Sequence, residues 1–262
     1  MIKSLNTAAT GMIAQQSNMD VIANNIANVS TYGFKKGRAE FEDLVYHNLK
    51  DPGQASGLNS TTPTGVQTGL GVRTAAVQKD FTTGQTIITK NPLDVQIEGS
   101  GFFQVRTPDG EIAYTRDGSF KKDGNGKVVD KNGNSLIPEI TIPQTSVGLE
   151  ITPAGEVRSM NGGTNAEPQT LGSVEIVNFI NPAGLKSMGK NIFVPTSASG
   201  LPTSGRPGTN GMGYLAQGEI ETSNVNIVDE MVNMITAQRA YETNSKVIQT
   251  SDQMMQTAVN IK

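Results

Sequence analysis

"SNMDVIANNIANVSTYGFKK", residues 17–36, decides the fold. Met19, Ile22, Ile26 and Val29 recur at spacings of three and four, the period of a helix that lays one apolar stripe on a partner. The same stretch spends Asn18, Asn24, Asn25 and Asn28 where helix formers belong, although Asn prefers caps and turns. A helix enclosed by its own core would not be written this way; the amides call for polar neighbours on several sides.

Toward the N-terminus the stripe continues through Leu5, Ala8, Met12 and, with one polar interruption, Gln15, while residues 1–30 carry only Lys3 and Asp20 as charges. Gly33 lies just past Val29 and supplies the backbone freedom with which helices end. A long helix is predicted over 1–33. At the other end, residues 223–262 repeat the design: Ile227, Met231, Met234, Tyr241, Ile248, Met255 and Val259 fall on one helical face. Asn226 is the predicted N-cap, with Asp229 and Glu230 in the first turn, where carboxylates meet the positive end of the helix dipole. The two helices are expected to pair as a coiled coil. Their narrow apolar seam points to further partners, so both ends are expected to order fully only when copies pack together.

Between the helices the texture changes. Residues 72–222 contain short runs of β-formers separated by turn signals at Pro108-Asp109-Gly110, Asp117-Gly118, Asp123-Gly124 and Asn132-Gly133, the pattern of successive hairpins. Residues 34–71 form a connection too long for a simple loop. Within its stretch 46–65, Asp51, Pro52, Gly53, Pro63 and Gly65 interrupt any continuous element, and such a segment is expected to order against a neighbouring copy. The predicted class is therefore α+β: paired terminal helices, a central mainly-β domain, and an extended β-rich or irregular connection.

Composition narrows the function. Only 35% of residues are hydrophobic and 5% aromatic, with 29 Gly, 12 Pro and no Trp, so the core should be thin and loop-rich. A net charge of -3 with interspersed signs provides no basic field for nucleic acid or anionic lipid. There is no cysteine, hence no disulfide and no thiolate metal site. Ser4, Asn6, Thr7 and Thr10 interrupt the apolar run that a cleaved signal peptide needs, and no stretch reads as a membrane span. Export, if it occurs, is expected to use a route without signal cleavage.

Candidate chemistry fails on inspection. Asp123-Asn125-Lys127 and Asp130-Asn132-Asn134 imitate the start of a calcium loop, but the former has Lys127 and Val128 where an oxygen ligand and a glycine belong, and the latter has Thr141 where the bidentate Glu belongs. Gly69-Leu70-Gly71 and Gly99-Ser100-Gly101 lack the third glycine of a dinucleotide loop. His47 is the only histidine, which rules out a multi-histidine zinc site within one chain. No catalytic, cofactor or metal residue is expected.

The segments "ANNIANVSTYGFKK", "LDVQIEGSGFFQV", "YTRDGSF", "QGEIETSNVN" and "MVNMITAQRAYETNSKVIQTSDQM", in this order, resemble the bacterial flagellar rod and hook family. Length and the stretch 46–65 are most similar to its distal-rod members; a proximal-rod or short hook-type subunit is the alternative, and a secreted binding module a distant one. The resemblance implies a structural subunit exported unfolded through the flagellar type III apparatus and stacked helically into a hollow periplasmic rod. It implies an inner tube of terminal helices, an outer β-layer, and a connection associated with stiffness. The implied partners are further copies of the chain, proximal rod proteins, hook or hook-junction subunits, and the P and L rings; neither nucleic acid nor membrane insertion is implied.

Overall fold

In a computed structural model, two helices bracket the chain: α1 spans Ile2–Ala27 and α2 spans Ile227–Asn260, with strands between them. The structure describes residues 2–53, 55–57, 60–61, 63–144, 146–161 and 168–260. Within the 46–65 stretch, residues 54, 58, 59 and 62 therefore lie outside the described residues. The architecture is a helix at each end and a mainly-β centre.

The first helix stops earlier than its apolar spacing predicts, at Ala27 instead of residue 33. Residues 28–33 form turns, in which the Thr31 amide bonds the Asn28 carbonyl at 3.1 Å and the Phe34 amide bonds that of Thr31 at 3.2 Å. Val29 thus stands beyond the helix, where β-branched Val29 and Thr31 with Ser30 favour an exit. Helix α2 starts as its cap predicts: Asn226 Oδ1 accepts from the Val228 amide at 3.0 Å, and the Asn226 carbonyl accepts from the Glu230 amide at 3.0 Å.

The chain folds as two compact units whose borders do not follow the order of the sequence. One contains residues 1–26, 37–78 and 226–262; the other contains 27–36 and 79–225. In the first, the strand Gly37–Asp43 pairs with Val72–Lys79, and Tyr46–Lys50 pairs antiparallel with Val66–Gly69, bringing Tyr46 opposite Gly69. The segment that the sequence presents as a connection is thus largely strand.

In the second unit, strand Phe102–Arg106 is central to a sheet of nine strands among the described residues, flanked by Ile112–Thr115, Ser135–Ile137 and Ile176–Asn178. Because successive strand residues face opposite sides, Phe103 and Phe102 enter different clusters. Phe103 clusters with Val95, Ile97, Phe120, Leu136, Val157 and Ile176, and Phe102 with Tyr114, Val177, Phe179 and Phe193, meeting the rings of Phe179 and Phe193 edge to face. Most of the buried aromatic residues thus gather at one sheet.

Three of the four anticipated turns are hairpin tips, at Thr107–Glu111, Asp123–Lys127 and Asp130–Asn134. Asp117-Gly118 is not a fourth: the Val95 amide bonds the Gly118 carbonyl at 3.1 Å, and any side chain at 118 would overlap the Val95 carbonyl. Glycine is used there for close approach of two backbones. The Asp130 carboxylate is spent on its own turn, accepting from the amides of Asn132 and Asn134 at 2.7 and 2.9 Å.

Candidate assembly surfaces

The face that α2 buries differs from the one its large apolar residues mark. Glu230, Ala237 and Ser251 are buried and Asn244 half-buried, a row of small and polar residues at seven-residue intervals. Met234, Ile248 and Met255 flank this row and are half-buried, whereas Ile227, Met231, Tyr241 and Val259 are exposed. Val228, Val232 and Ile235 are exposed beside Ile227 and Met231, so the first turns of α2 carry an apolar stripe that the chain itself leaves uncovered.

On α1, Ala8, Ala14, Ile22 and Asn25 are buried; Leu5, Met12, Met19 and Ile26 are half-buried, as is Val29 beyond its end. Gly11 of α1 comes close to α2: a Cβ there would lie 2.9 Å from Nδ2 of Asn244. Beside this approach runs an open groove of about 550 Å³, lined by Lys3, Thr7, Ala8, Thr68, Asn244 and Val247 among others. Its lining is mixed polar and apolar and it is open, unlike the enclosed apolar lining of a small-molecule site.

The four asparagines do not share one role. Asn24 is exposed, and Asn18 and Asn28 are half-buried, but Asn25 is only 2% exposed. Its Nδ2 donates to the Gly37 carbonyl at 2.9 Å and its Oδ1 accepts from the Gly37 amide at 2.8 Å. Asn25 therefore does not belong to an inter-subunit or channel face. The chain reverses after α1, and the amide supplies both partners that the first strand residue would otherwise lack.

In the connection, Asp51, Pro52, Gly53 and Pro63 are exposed and Gly65 is half-buried. The adjoining two-stranded ribbon exposes Tyr46, Leu49 and Val66, and Val45 just before it is exposed as well. His47, on the same ribbon, is also exposed.

Sequence reasoning missed a site in the second unit. Lys35, Arg116 and Glu221 are nearly inaccessible, with side-chain exposures of 0, 3 and 1%. Lys35 Nζ donates to Glu221 Oε1 at 2.6 Å and to the Thr82 carbonyl at 2.7 Å. The Gly84 amide also donates to Oε1, at 2.8 Å, while Arg116 Nη1 stands 3.6 Å from Oε2 and its Nη2 donates to the Gly99 carbonyl at 2.6 Å. Two cations thus share one carboxylate away from water. Burial holds the Lys35 ammonium below its ordinary pKa, against the opposing pull of Glu221. Gly33 makes the approach possible. At φ +67 it adopts a conformation suited to glycine, its amide bonds the Glu221 carbonyl at 2.9 Å, and a Cβ there would lie 2.7 Å from the Asp117 amide nitrogen.

Comparison with known proteins identifies what is built here. Family models match three segments: residues 5–35 the "Flagella basal body rod protein" model, 96–159 the "Flagellar hook protein FlgE/F/G D1 domain", and 216–261 the "Flagellar basal body rod FlgEFG protein C-terminal". The flagellar basal-body rod protein FlgG of Buchnera aphidicola (from Acyrthosiphon pisum) is 51% identical over 98% of both chains. That of Borreliella burgdorferi is 50% identical over 100% of this chain and 99% of its own, and that of Caulobacter vibrioides 45% identical over 100% of each.

The chain belongs to the flagellar basal-body rod family. It is accordingly a structural subunit of the flagellum, located in the basal-body rod, and not an enzyme. No described helix is long and apolar enough to cross a membrane. Each matched segment contributes one member of the buried cluster: Lys35 from the first, Arg116 from the second, Glu221 from the third. The residues stand in "TYGFKK", "YTRDGSF" and "QGEIETSNVN", each of which places two charged residues among β-formers and glycines, but which of them meet is decided by the fold.

Proposed function

We propose that this rod subunit builds the distal part of the rod, stacking helically into a stiff hollow tube that carries motor torque to the hook and encloses part of the export channel. In this reading α1 and α2 pair as a coiled coil in the inner layer. Leu5, Met12, Met19 and Ile26 of α1, Val29, and Ile227, Met231, Tyr241 and Val259 of α2 meet neighbouring copies, while Ile22, Met234, Ile248 and Met255 complete the packing nearer the chain's own seam. Asn18, Asn24 and Asn28 serve the polar contacts between copies or the hydrated channel. The segment 46–65, with Asp51, Pro52, Gly53, Pro63 and Gly65 at its turn, rests on a neighbour and stiffens the tube. Proximal rod proteins, hook or hook-junction subunits, the P and L rings and the type III export apparatus are the partners of such a subunit.

The observation that carries this reading is the uncovered apolar stripe Ile227, Val228, Met231, Val232 and Ile235. A row of large apolar residues at helical spacing, left in water, marks an interaction face. Substituting Met231→Glu together with Ile235→Glu places two charges on that face without touching a residue buried in the chain. The expected result is a soluble subunit with unchanged thermal melting and no rods in purified basal bodies by electron microscopy. Rods of normal number and length would sink the assignment of the α2 face.

A further inference from the structure

The unit holding residues 27–36 and 79–225 is entered or left at four points, next to residues 27, 36, 79 and 225. Three of them are fastened to one another by one side chain. Asn224 Oδ1 accepts from the Lys36 amide at 2.8 Å, and its Nδ2 donates to the Asp80 carbonyl at 2.9 Å and to Thr82 Oγ1 at 3.0 Å. The Asp80 amide returns a bond to the Lys36 carbonyl at 2.9 Å, Lys36 Nζ stands 3.6 Å from Asp80 Oδ2, and Lys79 Nζ reaches the Lys35 carbonyl at 3.2 Å. Directly behind this knot, Lys35 is held by Glu221 and Thr82.

We propose that Asn224, with Lys36 and Asp80, is a mechanical clamp: it ties three of the chain's crossing points together so that force reaching this unit loads them jointly instead of peeling one strand at a time. The inference rests on the rod reading, since only a subunit under torque needs it. An asparagine amide suits the task because one planar group offers an acceptor and two donors, so it can bridge an amide of one strand to a carbonyl of another. Bonds loaded together must break together, and forced opening follows the unfolding rate, which such joint loading slows.

The test replaces Asn224 in the full-length chain and compares shear breakage of purified basal bodies. Asn224→Leu keeps a similar volume but removes every bond that the Asn224 side chain makes; Val157→Ala, a cavity in the apolar core, serves as a control matched for thermal destabilisation. Rods of Asn224→Leu should assemble in normal number yet break about tenfold faster under fixed shear, while those of Val157→Ala break near the wild-type rate. Because the chain has no cysteine, Lys36→Cys with Asp80→Cys offers a second arm that holds even where Asn224→Leu fails to fold. Its oxidised rods should resist shear better than its reduced ones. Equal fragility of the two destabilised variants, or no difference between oxidised and reduced rods, overturns the clamp. Absence of the wild-type subunit from purified basal-body rods would instead overturn the rod reading on which the clamp depends.

Discussion

Glu221 is one carboxylate between two buried cations, so the three members of its cluster cannot be equivalent. Removing Lys35 leaves Arg116 and Glu221 as a one-to-one pair; removing Glu221 leaves two positive groups facing each other without water. Glu221→Leu should therefore destabilise the β-rich unit by roughly 3–5 kcal/mol and Lys35→Met by less, whereas replacing all three by apolar residues of similar size should be neutral or stabilising. Calorimetry on the full-length chain reads the order directly, and an equal loss for both single variants would contradict it. The pH dependence has a definite sign. The Lys35 pKa is lowered in the folded chain, chiefly by burial and by Arg116, with Glu221 and Asp80 pulling the other way. Between that lowered value and 10.5 the unfolded chain binds more protons than the folded one, so Lys35 contributes stability that rises with pH through this window. Wild type should gain on Lys35→Met as pH climbs toward 10.5.

At the scale of elements, the terminal helices and most hairpin tips were legible from spacing and turn chemistry, because those signals are local. The buried face of α2 was not. Periodicity counts large apolar residues, whereas Ala237, Asn244 and Ser251 turn inward, and Gly11 rather than a leucine marks the approach of α1. A subunit with neighbours on several sides has more than one apolar stripe, and sequence alone does not say which stripe meets its own chain. Likewise Asn25 reads like its three companions until the Gly37 backbone is seen to occupy both ends of its amide. The ribbon of Tyr46–Lys50 and Val66–Gly69 poses the same problem, for both strands are almost wholly exposed. A two-stranded ribbon in water is at best marginally stable, so one that exposes Tyr46, Leu49 and Val66 calls for a surface to lie on. Deleting residues 46–65 should leave rods that assemble but bend more easily, measured as a shorter persistence length in electron micrographs. Unchanged stiffness would remove this segment from the account of the rod's rigidity.

At the scale of the whole molecule, the borders of the two units carry the consequence least visible in the sequence. A linear reading ends the N-terminal helix at residue 33 and begins the β-domain at 72, so residues 27–33 look like part of the helix and 34–36 like the start of the connection. Instead they belong to the β-rich unit, where Gly33, Phe34 and Lys35 are buried and Lys35 pairs with Glu221, 186 residues away. The order of the chain hides this because the pairing is set by two buried charges and one glycine, none of which has a period. Two truncations separate the readings. Removing residues 1–26 takes away α1 and its share of the assembly surface but no residue of the β-rich unit, whose melting should stay near that of the full chain while rods disappear. Removing residues 1–36 also takes the Lys35 charge, the Phe34 ring that lies 4.4 Å from Lys79 Nζ, and the backbone partner of Glu221. These losses fall together on one buried cluster, so the second truncation should melt well below the first or fail to fold. Equal melting of the two would return residues 27–33 to the helix and 34–36 to the connection, and with them the boundaries that the linear sequence draws.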